Sequence, residues 1–235
     1  MHFDPFRKLI SKWLSPLVRD AIQKHEGAEK MIHTAMSFAN DSQVEGDYLE
    51  FGVFRGRAFA RAFHAAQMYQ RLDVMRFFAF DSFQGLPAIT AIDDGAACRY
   101  KRGDYACDLA QFRKNLTAGA VDLRKVEAVA GWFNEVLNEE TKSRLPIKKA
   151  AVVWIDCDLY ESTVSVLNFI TDYVQDGTIL IFDDWFSFKG RLDKGEARAF
   201  FEWLQAHPNL KANEYHKFHR TGNSFILYNS ETPTS

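Results

Sequence analysis

Tyr48-Leu49-Glu50-Phe51-Gly52-Val53-Phe54-Arg55-Gly56 reads as a short apolar strand that carries an acid near its end and runs into a glycine-bearing turn. A helix-length segment follows over residues 57–71, and the same alternation then recurs along the chain. Further apolar runs fall at 77–80, 124–129, 150–155 and 178–182, with helical spacing around 109–116, 132–138 and 162–173. Strands that alternate with helices form a parallel sheet covered on both faces, so the fold class is α/β. A helix at 195–206 leads into two strand patterns, 212–218 and 224–228, joined by Arg220-Thr221-Gly222-Asn223. That pattern predicts a hairpin and hence an antiparallel edge.

Upstream of this core, large apolar residues at 3, 6, 9, 10, 13, 14 and 17 have helical spacing, and a second helical pattern covers residues 21–40. Residues 1–45 are expected to form a helical cover over a single globular unit, 46–235. The first helix packs on its own domain in this reading, and a homo-oligomer contact through it is the alternative. The irregular stretch 87–108, with the basic Arg99-Tyr100-Lys101-Arg102, has the length of a lid or binding loop.

The 235 residues are 47% apolar, and 29 basic side chains face 31 acidic ones, for a formal charge of −2. These figures describe one ordinary folded domain and exclude a disordered chain. Without a basic block no nucleic-acid partner is expected, and no run approaches the roughly 20 apolar residues of a membrane span. Cys98, Cys107 and Cys157 are odd in number and lack zinc-like spacing, which suits reduced thiols. Met1-His2-Phe3-Asp4-Pro5 carries an early acid and does not read as a secretory signal, so the expected location is the cytoplasm.

Ligands of open parallel sheets bind beyond the carboxyl ends of the strands. Four of the apolar runs contain or finish in acids there: Glu50 with Gly52, Asp81, Asp156, and Asp183 with Asp184. The turn at Gly52 and Gly56 lacks the third glycine of a pyrophosphate-binding loop, and Glu50 would repel a phosphate but favour a cation. S-adenosylmethionine, with a sulfonium and an amino group and no phosphate, suits such strand ends. Asp81, opening Asp81-Ser82-Phe83-Gln84-Gly85-Leu86-Pro87, can accept from ribose hydroxyls. If the runs ending at Asp156 and Asp183-Asp184 are neighbours, three carboxylates converge, which a cation must offset. Oxygen-only ligands select a hard ion, magnesium by default, with manganese or calcium also acceptable. Phe54, Trp132, Trp185 and Phe186 make a plausible aromatic wall for an acceptor.

Taken together, residues 46–56, 80–87, 155–163 and 181–185 resemble the macrocin O-methyltransferase family, class I methyltransferases that modify deoxysugar hydroxyls. The resemblance implies a seven-stranded sheet with its last strand antiparallel, S-adenosylmethionine as donor and a required divalent metal. It places Glu50, Gly52, Val53, Phe54 and Gly56 against the methionine part of the cofactor, Asp81 and Ser82 at the ribose, and Gly131 with Trp132 along the adenine. Asp156, Asp183 and Asp184 would bind magnesium. Asp156 would also touch the cofactor and take the proton of a small-molecule hydroxyl. The chain departs from the family at Arg57 and Asp176, where glycine is common. Two rival readings are a metal-dependent nucleotide-sugar glycosyltransferase, using Asp156-Cys157-Asp158, and a binding protein without turnover.

Overall fold

Five apolar runs become parallel strands: β1 (Asp47–Phe51), β2 (Phe77–Asp81), β3 (Val126–Ala130), β4 (Ala150–Ile155) and β5 (Ile179–Phe182). β6 (Leu210–Glu214) and β7 (Asn223–Asn229) run antiparallel, and the sheet order is β3-β2-β1-β4-β5-β7-β6. The computed structural model describes residues 16–89, 93 and 101–230, with side chains from residue 24 onward. The helix expected over residues 3–17 therefore lies almost wholly outside the described residues, as does Cys98. Cys107 and Cys157 are buried free thiols.

The helices are α1 (Pro16–Asp41), α2 (Arg57–Ala66), α3 (Leu109–Ala118), α4 (Phe133–Val136), α5 (Glu139–Arg144), α6 (Tyr160–Ile170) and α7 (Gly195–Ala206). Every residue of β1 and β4 is buried, as befits central strands with helices on both faces. Alternate side chains divide the core. Tyr48, Phe77, Trp154 and Ile181 pack with Met31 and Ala35 of α1 and Phe59 of α2. Leu49, Phe51, Val153 and Phe182 pack with Leu167 of α6 and Phe200 of α7. None of the described helices is long and apolar enough to cross a membrane.

Three local expectations need correction. The helix expected over 132–138 breaks at Leu137, because the Asn138 side chain accepts from the Thr141 N–H at 2.9 Å and starts α5 as its N-cap. The helix after β1 ends at Ala66 and gives way to a 3-10 turn, Gln70–Val74, that carries the chain back to β2. The first hairpin strand runs over 210–214 rather than 212–218. Beyond Glu214 the chain leaves the ladder, and the Ser224 hydroxyl accepts from the His216 N–H and donates to its carbonyl, replacing a strand partner.

Candidate active site

Register brings the acids together. Ile155 of β4 lies opposite both Phe51 of β1 and Phe182 of β5, so the next residues, Gly52, Asp156 and Asp183, leave the sheet side by side. The Asp156 N–H donates to the Phe51 carbonyl and the Asp183 N–H to that of Ile155, each at 2.9 Å. One oxygen from each of Asp156, Asp183 and Asp184 falls within 4.8 Å of the others. Asp183 and Asp184 are buried, and Asp156 is half-buried. Asp158, at φ +61°, lines the same cavity without joining this trio, so Asp156 is grouped with the β5 acids and not with the second acid of a DxD motif.

Protein groups already hold parts of these carboxylates. His219 Nε2 is 3.0 Å from Asp183 Oδ1, and the Lys24 ammonium is 2.5 Å from Oδ2. Ser187 Oγ donates to Asp184 Oδ1 at 2.6 Å, and the Asp184 N–H donates to Glu196 Oε2 at 3.0 Å. Burial pushes the Asp156 carboxyl well above its ordinary range, and the negative charge of Asp183 adds to this while Lys24 opposes it. Burial acts on Asp183 in the same sense, but the His219 hydrogen bond and the Lys24 charge outweigh it, and its pKa is lowered. Burial and then Asp184 lift Glu196, whose Oε1 has no hydrogen-bond partner among the described residues. Three carboxylates against one ammonium leave an all-oxygen, net negative donor set, which fits a hard divalent ion.

The acids floor a cavity of about 820 Å³ between the sheet edge, α1 and the loops that follow β2 and β3. Eight residues expected at a cofactor line it: Glu50, Gly52, Val53, Phe54, Asp81, Ser82, Trp132 and Asp156. Gly56 and Gly131 stand behind its wall, where an added Cβ would strike Phe112 at 2.8 Å and Val136 at 2.2 Å. Asp81 Oδ2 accepts from the Val53 and Phe54 amides at 2.8 and 3.1 Å, and Oδ1 from the Phe83 amide at 2.7 Å. These bonds tie the first turn to β2 and leave acceptor capacity on Oδ1 only. Trp154, beside Glu50 in the register, lines the cavity, and its buried Nε1 has no hydrogen-bond partner among the described residues. Trp132 and Phe133 line the cavity as well.

Of the expected aromatic wall, Phe54 and Trp132 face the cavity. Trp185 does not. It is 4% exposed and packs on Phe182, Phe200 and Phe225, while Phe186 leans on the same core cluster. Lys24, His219 and Glu196 went unrecognised in the sequence. Lys24 had a signal: it falls on the helical stripe of the buried Ala28, Met31 and Ala35, a place where a charge needs a partner. Glu196 reads as an ordinary acid in the first turn of a helix, and His219 sits in a loop with no pattern around it. A basic rim completes the cavity: Arg55, Arg57 and Arg61 line it with His25, which Arg57 contacts through Nε2.

This strand order, with β7 reversed and the ligand cavity at the carboxyl edge, is the fold of class I S-adenosylmethionine-dependent methyltransferases. The solved O-methyltransferase NovP superimposes with a TM-score of 0.69 at 24% identity, covering 84% of this chain and 78% of that one. The calicheamicin methyltransferase CalS11 gives 0.66 at 22% identity over 96% and 94%. Residues 25–201 match the macrocin O-methyltransferase family, and the chain belongs to it. A tetracenomycin-C rhamnosyl 4'-O-methyltransferase of Streptomyces olivaceus is 33% identical over 148 residues, 60% of this chain and 54% of that protein. The mycinamicin III 3''-O-methyltransferase of Micromonospora griseorubida is 32% identical over 60% and 56%. The chain spans about half the length of the curated relatives it matches.

Proposed function

We propose that this protein is an S-adenosylmethionine-dependent O-methyltransferase acting on a hydroxyl of a small molecule, a sugar moiety of a natural product or glycan, with a divalent ion. Magnesium is the default ion; manganese and calcium share its ligand chemistry. The observation that carries this reading is the meeting of Asp156, Asp183 and Asp184 on the floor of a cavity that Glu50 and Asp81 also line. The names of its relatives, a rhamnosyl-tetracenomycin-C 4'-O-methyltransferase and a mycinamicin III 3''-O-methyltransferase, support the acceptor class.

Glu50 and Gly52 would hold the methionine part, Asp81 Oδ1 one ribose hydroxyl, and Trp132 the base; Asp156, Asp183 and Asp184 would hold the ion. When bound, the sulfonium supplies the methyl group and the ion a Lewis-acid template for the acceptor oxygen. The chain's own work is alignment and proton transfer. The cavity walls hold acceptor and donor in line, and such alignment contributes up to about 7 to 11 kcal/mol in the best cases. Asp156 would take the hydroxyl proton on a carboxylate oxygen.

Calorimetric titration with S-adenosylmethionine, with and without magnesium, tests the class and then the subclass. Cofactor binding that strengthens acceptor binding only with the ion present is the expected result. Binding of UDP in place of S-adenosylmethionine would overturn it in favour of glycosyl transfer. Asp156→Asn should lower turnover about 10²- to 10⁴-fold at saturating magnesium. Full turnover in that variant would remove Asp156 both as base and as essential ligand.

A further inference from the structure

Both carboxylate oxygens of Asp183 already have protein partners, His219 on Oδ1 and Lys24 on Oδ2. His219 belongs to the loop between β6 and β7 and has φ +36°, a left-handed conformation that a residue with a Cβ adopts only when its surroundings impose it. The surroundings do so from three sides. The Phe186 N–H donates to the Thr221 carbonyl at 2.9 Å, and the Phe218 ring packs on Trp154 at 5.4 Å. Gly27 of α1 lies so close that an added Cβ would meet both His219 Cβ and N at 2.9 Å.

Within this loop the ring is wired by the backbone. His219 Nδ1 accepts from the Thr221 N–H at 3.1 Å and from the Gly222 N–H at 3.2 Å. A ring nitrogen that accepts from two amides uses its lone pair to do so, which leaves the proton on Nε2. Nε2 in turn points at Asp183 Oδ1, 3.0 Å away, and both side chains are almost fully buried, at 1% and 2% exposure. Oδ1 is thus fixed on the loop side, and Oδ2 faces Lys24.

We propose that His219 is a positioning residue: the loop amides fix its tautomer, and the Nε2 proton holds Asp183 Oδ1, which leaves Oδ2, the oxygen paired with Lys24, for a divalent ion that takes the place of that ammonium. The inference rests on the reading that the three aspartates bind such an ion. It adds to that reading a residue outside the 25–201 stretch that matches the family. Partners of metal ligands that fix ligand orientation are typically worth 10- to 100-fold in metal affinity.

The test uses the full chain. Long-range ¹⁵N–¹H NMR of the histidine rings, which needs no ion, reports the tautomer, and calorimetry with Mn²⁺ reports affinity. The His219 signal should show a protonated Nε2 and an accepting Nδ1. His219→Leu should weaken Mn²⁺ about 10- to 100-fold. His219→Gln, whose amide can donate from where Nε2 stood, should stay close to wild type, whereas His219→Asn, whose amide falls short, should behave like the leucine variant. If the leucine variant fails to fold, the contrast between the glutamine and asparagine variants decides alone. An Nδ1-protonated ring, equal Mn²⁺ affinity in the leucine variant, or no difference between glutamine and asparagine overturns the positioning role. A wild-type chain that binds no Mn²⁺ overturns the ion reading itself, and with it this role, whatever the tautomer.

Discussion

Glu50 sits under the cavity floor with 1% of its surface exposed, and the Tyr48 hydroxyl donates to its Oε2 at 2.5 Å. Burial pushes its pKa from 4.5 up to about 8; the Tyr48 hydrogen bond opposes the rise, and the charges of Asp183 and Asp81 assist it. Between these two values the folded protein keeps a proton that the unfolded chain has lost. The stability Glu50 contributes is therefore complete below about pH 4.5, declines as pH rises, and is gone above about 8. Glu50→Gln should flatten that part of the profile, read as urea midpoints from pH 5 to 9; an unchanged slope would place the titration elsewhere. A cationic ligand reverses the preference and favours the ionised form. Binding of S-adenosylmethionine at pH 7 should then release close to one proton more in wild type than in Glu50→Gln, measured by calorimetry in buffers of different ionisation enthalpy. The same residue shows what a sequence can carry. Glu50, Asp81, Asp156, Asp183 and Asp184 were legible because each ends or nearly ends an apolar run. Lys24 and His219 reach the site across 159 and 36 positions of chain to Asp183, distances that no local pattern spans.

Among the described glycines, the one with least room for a side chain joins the ends of β1 and β4. Gly52 has φ +85°, and a Cβ there would lie 1.9 Å from the Asp156 carbonyl oxygen, part of the backbone. No side-chain adjustment relieves that overlap, so Gly52→Ala must push the end of β4 away. We expect a loss of about 3 kcal/mol or more in chemical denaturation, at the upper end of single substitutions, together with weaker divalent-ion binding as Asp156 moves. Gly103 supplies the control. Its φ is +84°, yet none of the described residues lies within 4 Å of an added Cβ, so Gly103→Ala is expected to carry only the backbone strain, about 1 to 2 kcal/mol, with no effect on the ion. Equal losses at the two positions would show that strain, and not the approach of the strands, sets the need for glycine. Sequence pattern located β4 and β5 because their side chains are buried on both faces and read as unbroken apolar runs. It misplaced the β6 end and the break between α4 and α5, where Ser224 and Asn138 side chains stand in for backbone partners.

At the scale of the molecule, the alternation of strands and helices sufficed for an α/β sheet with an antiparallel edge, whereas the number of strands, seven with the last reversed, came through the family resemblance. What neither conveyed is that α1 is shared between core and cavity. Met31, Ile32, Ala35, Met36 and Ala39 of this helix are buried against the sheet, while Lys24, His25 and Ala28 at its near end line the cavity. Docking of α1 and occupation of the cavity therefore use one continuous surface, and whatever binds there and touches Lys24 or Ala28 must favour the docked helix. S-adenosylhomocysteine at 100 times its Kd stabilises the whole fold by about 2.7 kcal/mol if it binds only the native state. Where amides of α1 open locally, below the global unfolding energy, their hydrogen exchange should slow on adding this ligand by a larger factor than that of α7, which lines no part of the cavity. Met36→Ala, which removes a fully buried side chain from the helix, should cost about 2 to 5 kcal/mol and widen that difference. Ligand-induced protection confined to the loops after β1 and β2, with α1 exchanging as before, would mean that the helix covers the core alone and takes no part in binding.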